Sequence, residues 1–286
     1  MRHSLRTSDG RTLVYEQVGT GAPLICHPGG PGMSAAYFED LGSLGAERAV
    51  VHLHPRGSGG SDAPADPDAY ALEDFAEDID ELRRHFGLDE IDLLGHSAGG
   101  FVSMVYASSR PECVRRLVLV GTFARFSDEF RQTFADALAE RERDPRVADA
   151  VAARHAREQG RVPDDVDISE QFVRELPVHF ASYGEAEAAF IERFGKSRDV
   201  FHFPSLLYSN THVAPTYDLR PQLARIEGPT LVVSGDRDPS GGAAVGEELA
   251  AHIPNARLVV LEGIGHFPWI EAPERFRAEV GAFLRA

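Results

Sequence analysis

Ile91-Asp92-Leu93-Leu94-Gly95-His96-Ser97-Ala98-Gly99-Gly100-Phe101-Val102-Ser103-Met104-Val105-Tyr106 is the stretch that decides the fold. Its first four residues are a short apolar run with the look of a buried strand. Phe101, Val102, Met104, Val105 and Tyr106 suit a buried helix. Between them stands Gly95-His96-Ser97-Ala98-Gly99, a G-x-S-x-G pentapeptide in a strand–turn–helix context. That context is what a nucleophile elbow requires. The turn is so tight that its serine takes a strained backbone, and the flanking glycines keep side chains out of the way. The serine hydroxyl is then held at the start of a helix, where the dipole favours negative charge. The pentapeptide alone is common, so its reading depends on partners elsewhere in the chain.

Those partners follow in the order serine, acid, histidine. Thr230-Leu231-Val232-Val233-Ser234 reads as a strand running into Gly235-Asp236-Arg237-Asp238. Ala256-Arg257-Leu258-Val259-Val260-Leu261 reads as another, ending in Glu262-Gly263-Ile264-Gly265-His266-Phe267-Pro268-Trp269. Asp238 and His266 thus fall just past strand ends, on the edge of a parallel sheet where ligands bind. A serine hydroxyl is a weak nucleophile until a base takes its proton. His266 can do so near neutral pH, and Asp238 would hold the imidazole tautomer. Asp236 is the rival acid; directly after the strand's glycine it is better placed to order the loop. A fourth element precedes these. Leu24-Ile25-Cys26 is a strand, followed by His27-Pro28-Gly29-Gly30-Pro31-Gly32. Its backbone N–H groups can approach a substrate carbonyl, so Gly30 and Ala98 are the expected oxyanion donors.

With these residues in place, the chain resembles the α/β-hydrolases over nearly its full length. The resemblance implies a mostly parallel eight-stranded sheet flanked by helices, with a helical cap. It divides the chain into a core of residues 1–121 and 220–286 and a cap of 122–219. Pro28-Gly29-Gly30-Pro31-Gly32 and Pro55-Arg56-Gly57-Ser58-Gly59-Gly60-Ser61 resemble loops of the proline iminopeptidases. That likeness implies metal-free, cofactor-free release of an N-terminal proline through an acyl-enzyme. The chain departs from those enzymes in its elbow and in carrying His54 where they carry Asp; Gly95-His96-Ser97-Ala98-Gly99 and Gly265-His266-Phe267-Pro268 resemble more closely the esterases, lactonases and cofactor-free haloperoxidases of the same fold. The Pro28 to Gly32 loop puts a proline iminopeptidase-like aminopeptidase first; an esterase or lactonase, and a non-catalytic binding protein of this fold, are the alternatives to separate from it. An intact set of four catalytic parts argues against the last.

Composition agrees with a globular enzyme. The chain has 286 residues, 43% hydrophobic and 26% charged, enough for one large α/β domain with an insertion. A net charge of −16 argues against nucleic acid or anionic membranes as partners and leaves a small molecule or short peptide as substrate. Two cysteines make no disulfide framework, and Cys26 falls in a core strand. No tight His/carboxylate cluster suggests a metal. No leader-like or bilayer-length apolar run is visible, so a cytoplasmic location is the default expectation.

The coarse order is a hairpin over Leu5 to Val18 turning at Ser8-Asp9-Gly10, then strands at Leu24 and Ala49 to Leu53. An amphipathic helix over Tyr70 to Phe86 carries Leu72, Phe75, Ile79, Leu82 and Phe86 on one face, and Arg116 to Gly121 is a strand. Alternating strands and helices mean a sheet covered on both faces. From Thr122 to Leu219 the pattern becomes charged and helix-prone, with helices over Phe126 to Arg143 and Glu185 to Phe194. This segment should set the substrate pocket. Gly29, Phe203 and Tyr208 are the candidate substrate contacts, beside further aromatics Phe172, Phe180, Tyr183 and Phe201. An aminopeptidase needs a charge for the α-ammonium group, for which Glu175, Glu185 and Glu192 are candidates.

Overall fold

The apolar runs read from the sequence become strands because each buries both faces. In the computed structural model, which describes residues 1–162, 167–197 and 200–286, β5 (Ile91–His96) and β7 (Thr230–Gly235) are buried at every position. That is the pattern of a sheet covered on both sides. With β1 (Arg2–Arg6), β2 (Thr12–Val18), β3 (Pro23–His27), β4 (Ala49–Leu53), β6 (Val114–Val120) and β8 (Ala256–Leu261), they form one eight-stranded sheet in the order β1-β2-β4-β3-β5-β6-β7-β8. β1 and β2 are an antiparallel hairpin in register Leu5↔Leu13, and β2 pairs antiparallel to β4. All other pairs are parallel. The hairpin starts at Arg2 rather than Leu5, because backbone pairing continues past the last apolar side chain.

Strand residues alternate between two cores. Leu93, Leu117, Leu119 and Val232 point to one face; Leu94, Val118, Val120 and Val233 point to the other. The first face is covered by α1 (Leu72–His85) and α2 (Ala98–Ser109), whose Phe75, Ile79, Leu82, Phe101 and Tyr106 pack there. The N-terminus of α1 is closed by the Asp74 carboxylate, which accepts from the Ala71 N–H at 2.9 Å, and its last turn carries Arg83, Arg84 and His85. The opposite face holds Trp269, Phe276, Val280 and Leu284 from the C-terminal helices.

Between β6 and β7, among the described residues, the regular elements are helical. They are α3 (Asp128–Arg141), α4 (Ala148–Glu158), α5 (Ile168–Glu175), α6 (Glu185–Gly195), α7 (Phe203–Tyr208) and α8 (Arg220–Leu223). Residues 163–166 and 198–199 of the expected 122–219 segment lie outside the described residues. After β7 come α9 (Gly242–His252), and after β8 the short α10 (Pro268–Glu271) and α11 (Pro273–Arg285). Among the described residues no helix is long and apolar enough to cross a membrane.

The topology positions the site. From β3 the chain crosses to β4 on one side, then to β5 on the other. The carboxyl ends of β3 and β5 therefore flank the point where the winding reverses, which opens a crevice. The Pro28–Gly32 loop leaves β3 there, and Ser97 leaves β5.

Candidate active site

Ser97 stands between the last residue of β5 and the first of α2 with φ 53° and ψ −124°, a region that non-glycine residues seldom occupy. The two glycines of the pentapeptide permit the turn by close packing. A Cβ on Gly95 would fall 2.6 Å from the Gly99 carbonyl oxygen, and one on Gly99 would fall 2.2 Å from that of His27. A Cβ on Gly29 would fall 2.7 Å from the Cβ of Ser97, so the Pro28–Gly32 loop lies directly against the serine.

The loops after β7 and β8 bring Asp238 and His266 together, with Asp238 Oδ2 2.8 Å from His266 Nδ1. Both are almost fully buried, at 5% and 4% exposure. A carboxylate only accepts, so Nδ1 carries a proton in this contact. The other Asp238 oxygen accepts from the Ser240 N–H at 2.8 Å. Gly121, at the end of β6 with φ 54°, leaves room for the pair: a Cβ there would lie 3.0 Å from both Asp238 Oδ2 and His266 Nδ1. Asp236 does different work. Its Oδ1 accepts from the Gly263 N–H at 2.7 Å and orders the loop that carries His266. Ser97 and His266 border the same small cavity.

At the expected oxyanion position Gly30 adopts φ 41°, and its carbonyl accepts from the Met33 N–H at 2.7 Å. Gly30 and Ala98 both border the larger cavity beside Ser97. Ala98 opens α2, so its N–H has no partner within the helix. Gly29 is different. Its N–H already donates to Tyr37 Oη at 2.6 Å, so Gly29 contributes close approach rather than a donor.

That tyrosine begins a relay which the sequence reading missed. Tyr37 Oη lies 2.8 Å from His96 Nδ1, and His96 Nε2 lies 2.9 Å from the His266 carbonyl oxygen. The carbonyl fixes the proton on Nε2, so Nδ1 accepts from the tyrosine. Burial holds the His96 pKa well below its ordinary value, and the ring stays neutral. One chain of hydrogen bonds thus ties the loop after β3, the elbow and the loop of His266. Glu271 is a second such tie. It accepts from the N–H groups of Ala181, Gly265 and Phe267 at 2.8, 3.0 and 3.3 Å, and burial pushes its pKa up to about 7.

A second serine–histidine contact, Ser34 to His54 at 3.2 Å, is built differently. Ser34 caps the short turn Ala35–Phe38, and His54 Nδ1 accepts from the Ala35 N–H. Both side chains are 1% exposed, so this pair braces a loop out of reach of a substrate.

Ser97 opens into a cavity of about 390 Å³, within the range of small-molecule sites. Phe101, Phe123, Phe126, Phe130, Phe134 and Phe172 make its apolar wall. A smaller chamber of about 90 Å³ lies beside His266 and His179. His179 sits with its ring centre 5.2 Å from that of His266, and its Nδ1 has no hydrogen-bond partner among the described residues. Burial, with nearby His266 and Arg154, holds the His179 pKa well below its usual value.

The candidate contacts of the helical segment fall elsewhere. Phe203 is 48% exposed and does not border the cavity. Tyr208 stacks on His212 and packs toward the core of the first sheet face. Leu206 of the same short helix α7 does line the cavity. Of the further aromatics, Phe172 borders the cavity, while Phe180 and Phe201 pack in the second core and Tyr183 packs against it. Glu185 and Glu192 are exposed. Glu175 is buried and held by two oxygens on Arg157 at 2.8 Å.

A nucleophile elbow on this sheet, with an acid–histidine pair at the neighbouring strand ends, defines a class of protein. The pattern of the alpha/beta hydrolase fold matches residues 22–273, and the chain belongs to that family. Its relatives include a proline iminopeptidase of Clostridium botulinum, 28% identical, with 92% of this chain and 90% of that protein covered. An esterase of Exiguobacterium antarcticum superposes with a TM-score of 0.75 at 23% identity, covering all of both chains. An enol-lactonase of Burkholderia xenovorans LB400 does so with a TM-score of 0.68 at 24% identity, covering 99% of this chain and all of that one. At such identities the two structures share the fold alone.

Proposed function

We propose that the protein is a serine hydrolase that cleaves a small ester or lactone through an acyl-enzyme on Ser97. The observation that carries this is the buried Asp238–His266 pair at 2.8 Å, bordering one cavity with a serine in strained backbone. In this reading His266 Nε2 takes the Ser97 proton as Oγ attacks the carbonyl, and returns it to the leaving alcohol. Asp238 holds the imidazole and stabilises the imidazolium. The N–H groups of Gly30 and Ala98 receive the oxyanion. Water, activated by the same histidine, then frees the acid. The helices over 122–219 serve as the cap that shapes the acyl pocket.

The wall of the cavity supports ester over free-amine substrates. Among the described residues lining it, Glu158 is the one carboxylate, and it is engaged by Arg154 at 2.6 Å. A desolvated α-ammonium group needs an opposite charge or several acceptors. The second reading, an aminopeptidase acting on N-terminal proline, is favoured by the relatives named as proline iminopeptidases and by the Pro28–Gly32 loop.

A fluorophosphonate probe tests the nucleophile: it should label the protein, and Ser97→Ala should abolish labelling. Labelling that survives the change sinks the assignment. A short nitrophenyl ester, proline arylamide and N-acetylproline arylamide then separate the readings. Ester turnover without amide cleavage is expected. Cleavage of the free-amine amide alone would put the aminopeptidase first.

A further inference from the structure

The cavity has a cationic side that the catalytic steps do not use. Arg154, on α4, borders both the larger cavity and the inner chamber, in each case beside Ser97. Its aliphatic and planar parts are fixed: the guanidinium lies 4.6 Å over the Phe134 ring, and Nε donates to Glu158. Its Nη1 is 3.8 Å from Glu175 Oε2, beyond a hydrogen bond, and that carboxylate is already occupied by Arg157 and by Gln171 at 2.9 Å. Among the described residues the Nη edge of Arg154 therefore has no hydrogen-bond acceptor. Arg157 also lines the larger cavity but is held by Glu175, and Arg141 lies outside both cavities, near His179. Arg141 donates to the carbonyl oxygens of Ala137, Phe180 and Arg237. Burial lowers the pKa of both Arg154 and Arg141, with Arg157 adding to the fall at Arg154 and Arg237 at Arg141. His179, neutral and with an unpartnered Nδ1, borders the same chamber.

We propose that the acyl group of the substrate carries its own carboxylate, which pairs with the Nη edge of Arg154 while the scissile carbonyl sits at Ser97. The inference rests on the serine-hydrolase reading and names its substrate class: hemiesters, or lactones bearing an acid. Guanidinium and carboxylate match in geometry, and a dry pocket strengthens the pair. The chamber between Arg154, Ser97 and His266 is about 90 Å³, so the spacer is a short chain of carbons. An apolar remainder lies along Phe130 and Phe134. The chemistry balances as an ordinary acyl transfer. The Ser97 Oγ–acyl bond forms as the ester C–O bond breaks, the alcohol leaves with the proton from His266, and water releases a dicarboxylic acid. A carboxylate also offsets the cost of forming an imidazolium on His266 close to a cation.

The experiment compares mono-4-nitrophenyl glutarate with its neutral counterpart 4-nitrophenyl valerate, each corrected for uncatalysed hydrolysis. The wild type should favour glutarate in kcat/KM by about tenfold or more, as one charge-assisted pair predicts. In Arg154→Gln that ratio should fall about tenfold, whereas Arg154→Lys should keep part of it. Preference for valerate in the wild type, or an unchanged ratio in a folded Arg154→Gln protein, overturns the inference. Should Arg154→Gln fail to fold, wild-type inhibition decides: pentanoate should compete with valerate ester and pentylamine should not, and equal or reversed inhibition overturns the proposal. Failure of the underlying reading looks different: neither ester is cleaved and no Ser97-dependent probe labelling appears. Turnover of valerate without preference for glutarate refutes the carboxylate site alone.

Discussion

At the carboxyl edge of the sheet, Gly30, Ser97, Asp238 and His266 each follow a strand end by a few residues. In the helical segment above them, most residues around the cavity come from α3, α4, α5 and α7, with Phe123, Phe126 and His179 from the connections, and no strand register links them. The first region is placed by backbone pairing, since β3, β5, β6, β7 and β8 run in parallel, each hydrogen-bonded to its neighbour. The second is placed by side chains: Phe134 under Arg154, Arg157 on Glu175, Phe172 against Phe201 at 4.5 Å. Backbone pairing tolerates little change and suits reacting atoms. Side-chain packing can be reworked without moving the sheet, which suits substrate choice. Changes in the first region should therefore act on turnover, and changes in the second on discrimination between substrates.

The largest expected effect breaks the first region at its acid. Asp238→Asn should lower kcat on a nitrophenyl ester by about 10⁴-fold, as neutralising a triad aspartate does. Asp236→Asn, which loosens the Gly263 N–H contact, should cost far less, about one hydrogen bond's worth or ~1 kcal/mol of stability. Steady-state rates with a melting curve for each variant separate the two. A reversed order assigns the wrong carboxylate.

A smaller effect is expected at the relay. Tyr37→Phe leaves the Gly29 N–H and His96 Nδ1 without their partner in a buried site, at a cost of about 1–3 kcal/mol. Denaturant unfolding should show the loss as a lower midpoint, and kcat should fall more than KM rises, because the relay holds the serine and histidine loops rather than the acyl group. A variant that changes KM alone would place Tyr37 with the substrate-facing residues and blur the contrast between the regions.

How much could be read in advance follows from the same contrast. The strands, α1 and α2 were legible because their apolar periodicity is local, and the elbow because its glycines are dictated by a turn. The aspartate and histidine were legible as strand-end residues in a fixed chain order. Phe203 and Tyr208 do not border the cavity beside Ser97, and α7 spans six residues, too few for its sequence to reveal which side faces the pocket. Glu175 read as an acid open to an ammonium group because nothing in its neighbourhood of sequence shows Arg157 folding back onto it from α4. The phenylalanine wall did leave a trace: Phe123, Phe126, Phe130 and Phe134 recur at helical spacing. Tyr37 and His96 left a weaker one. A histidine within a wholly buried strand must find hydrogen-bond partners, but the sequence does not say that one stands 59 residues away.

Glu271 joins the two regions, and its titration measures how firmly. Its carboxylate accepts from Ala181 in the helical segment and from Gly265 and Phe267 in the loop of His266. Burial raises its pKa from the ordinary 4.5 to about 7, with Asp238 adding to the rise; Arg141, His179 and His266 are the other titratable groups nearby. The folded state thus binds this proton more tightly than the unfolded chain. The stability this gives is full below about pH 4.5 and is lost as pH rises toward 7. Glu271→Gln removes the titration. The melting temperature of the wild type should therefore fall relative to Glu271→Gln between pH 5 and pH 7.5, by about 2 °C or more for a chain of this size. Groups with depressed values, Asp9 and Glu16 at about 2, act at lower pH and in both proteins alike, so the difference isolates Glu271. A difference that stays flat across this range would mean that Glu271 is ionised throughout. The three N–H donors would then outweigh its burial, and the joint between the regions would be insensitive to pH.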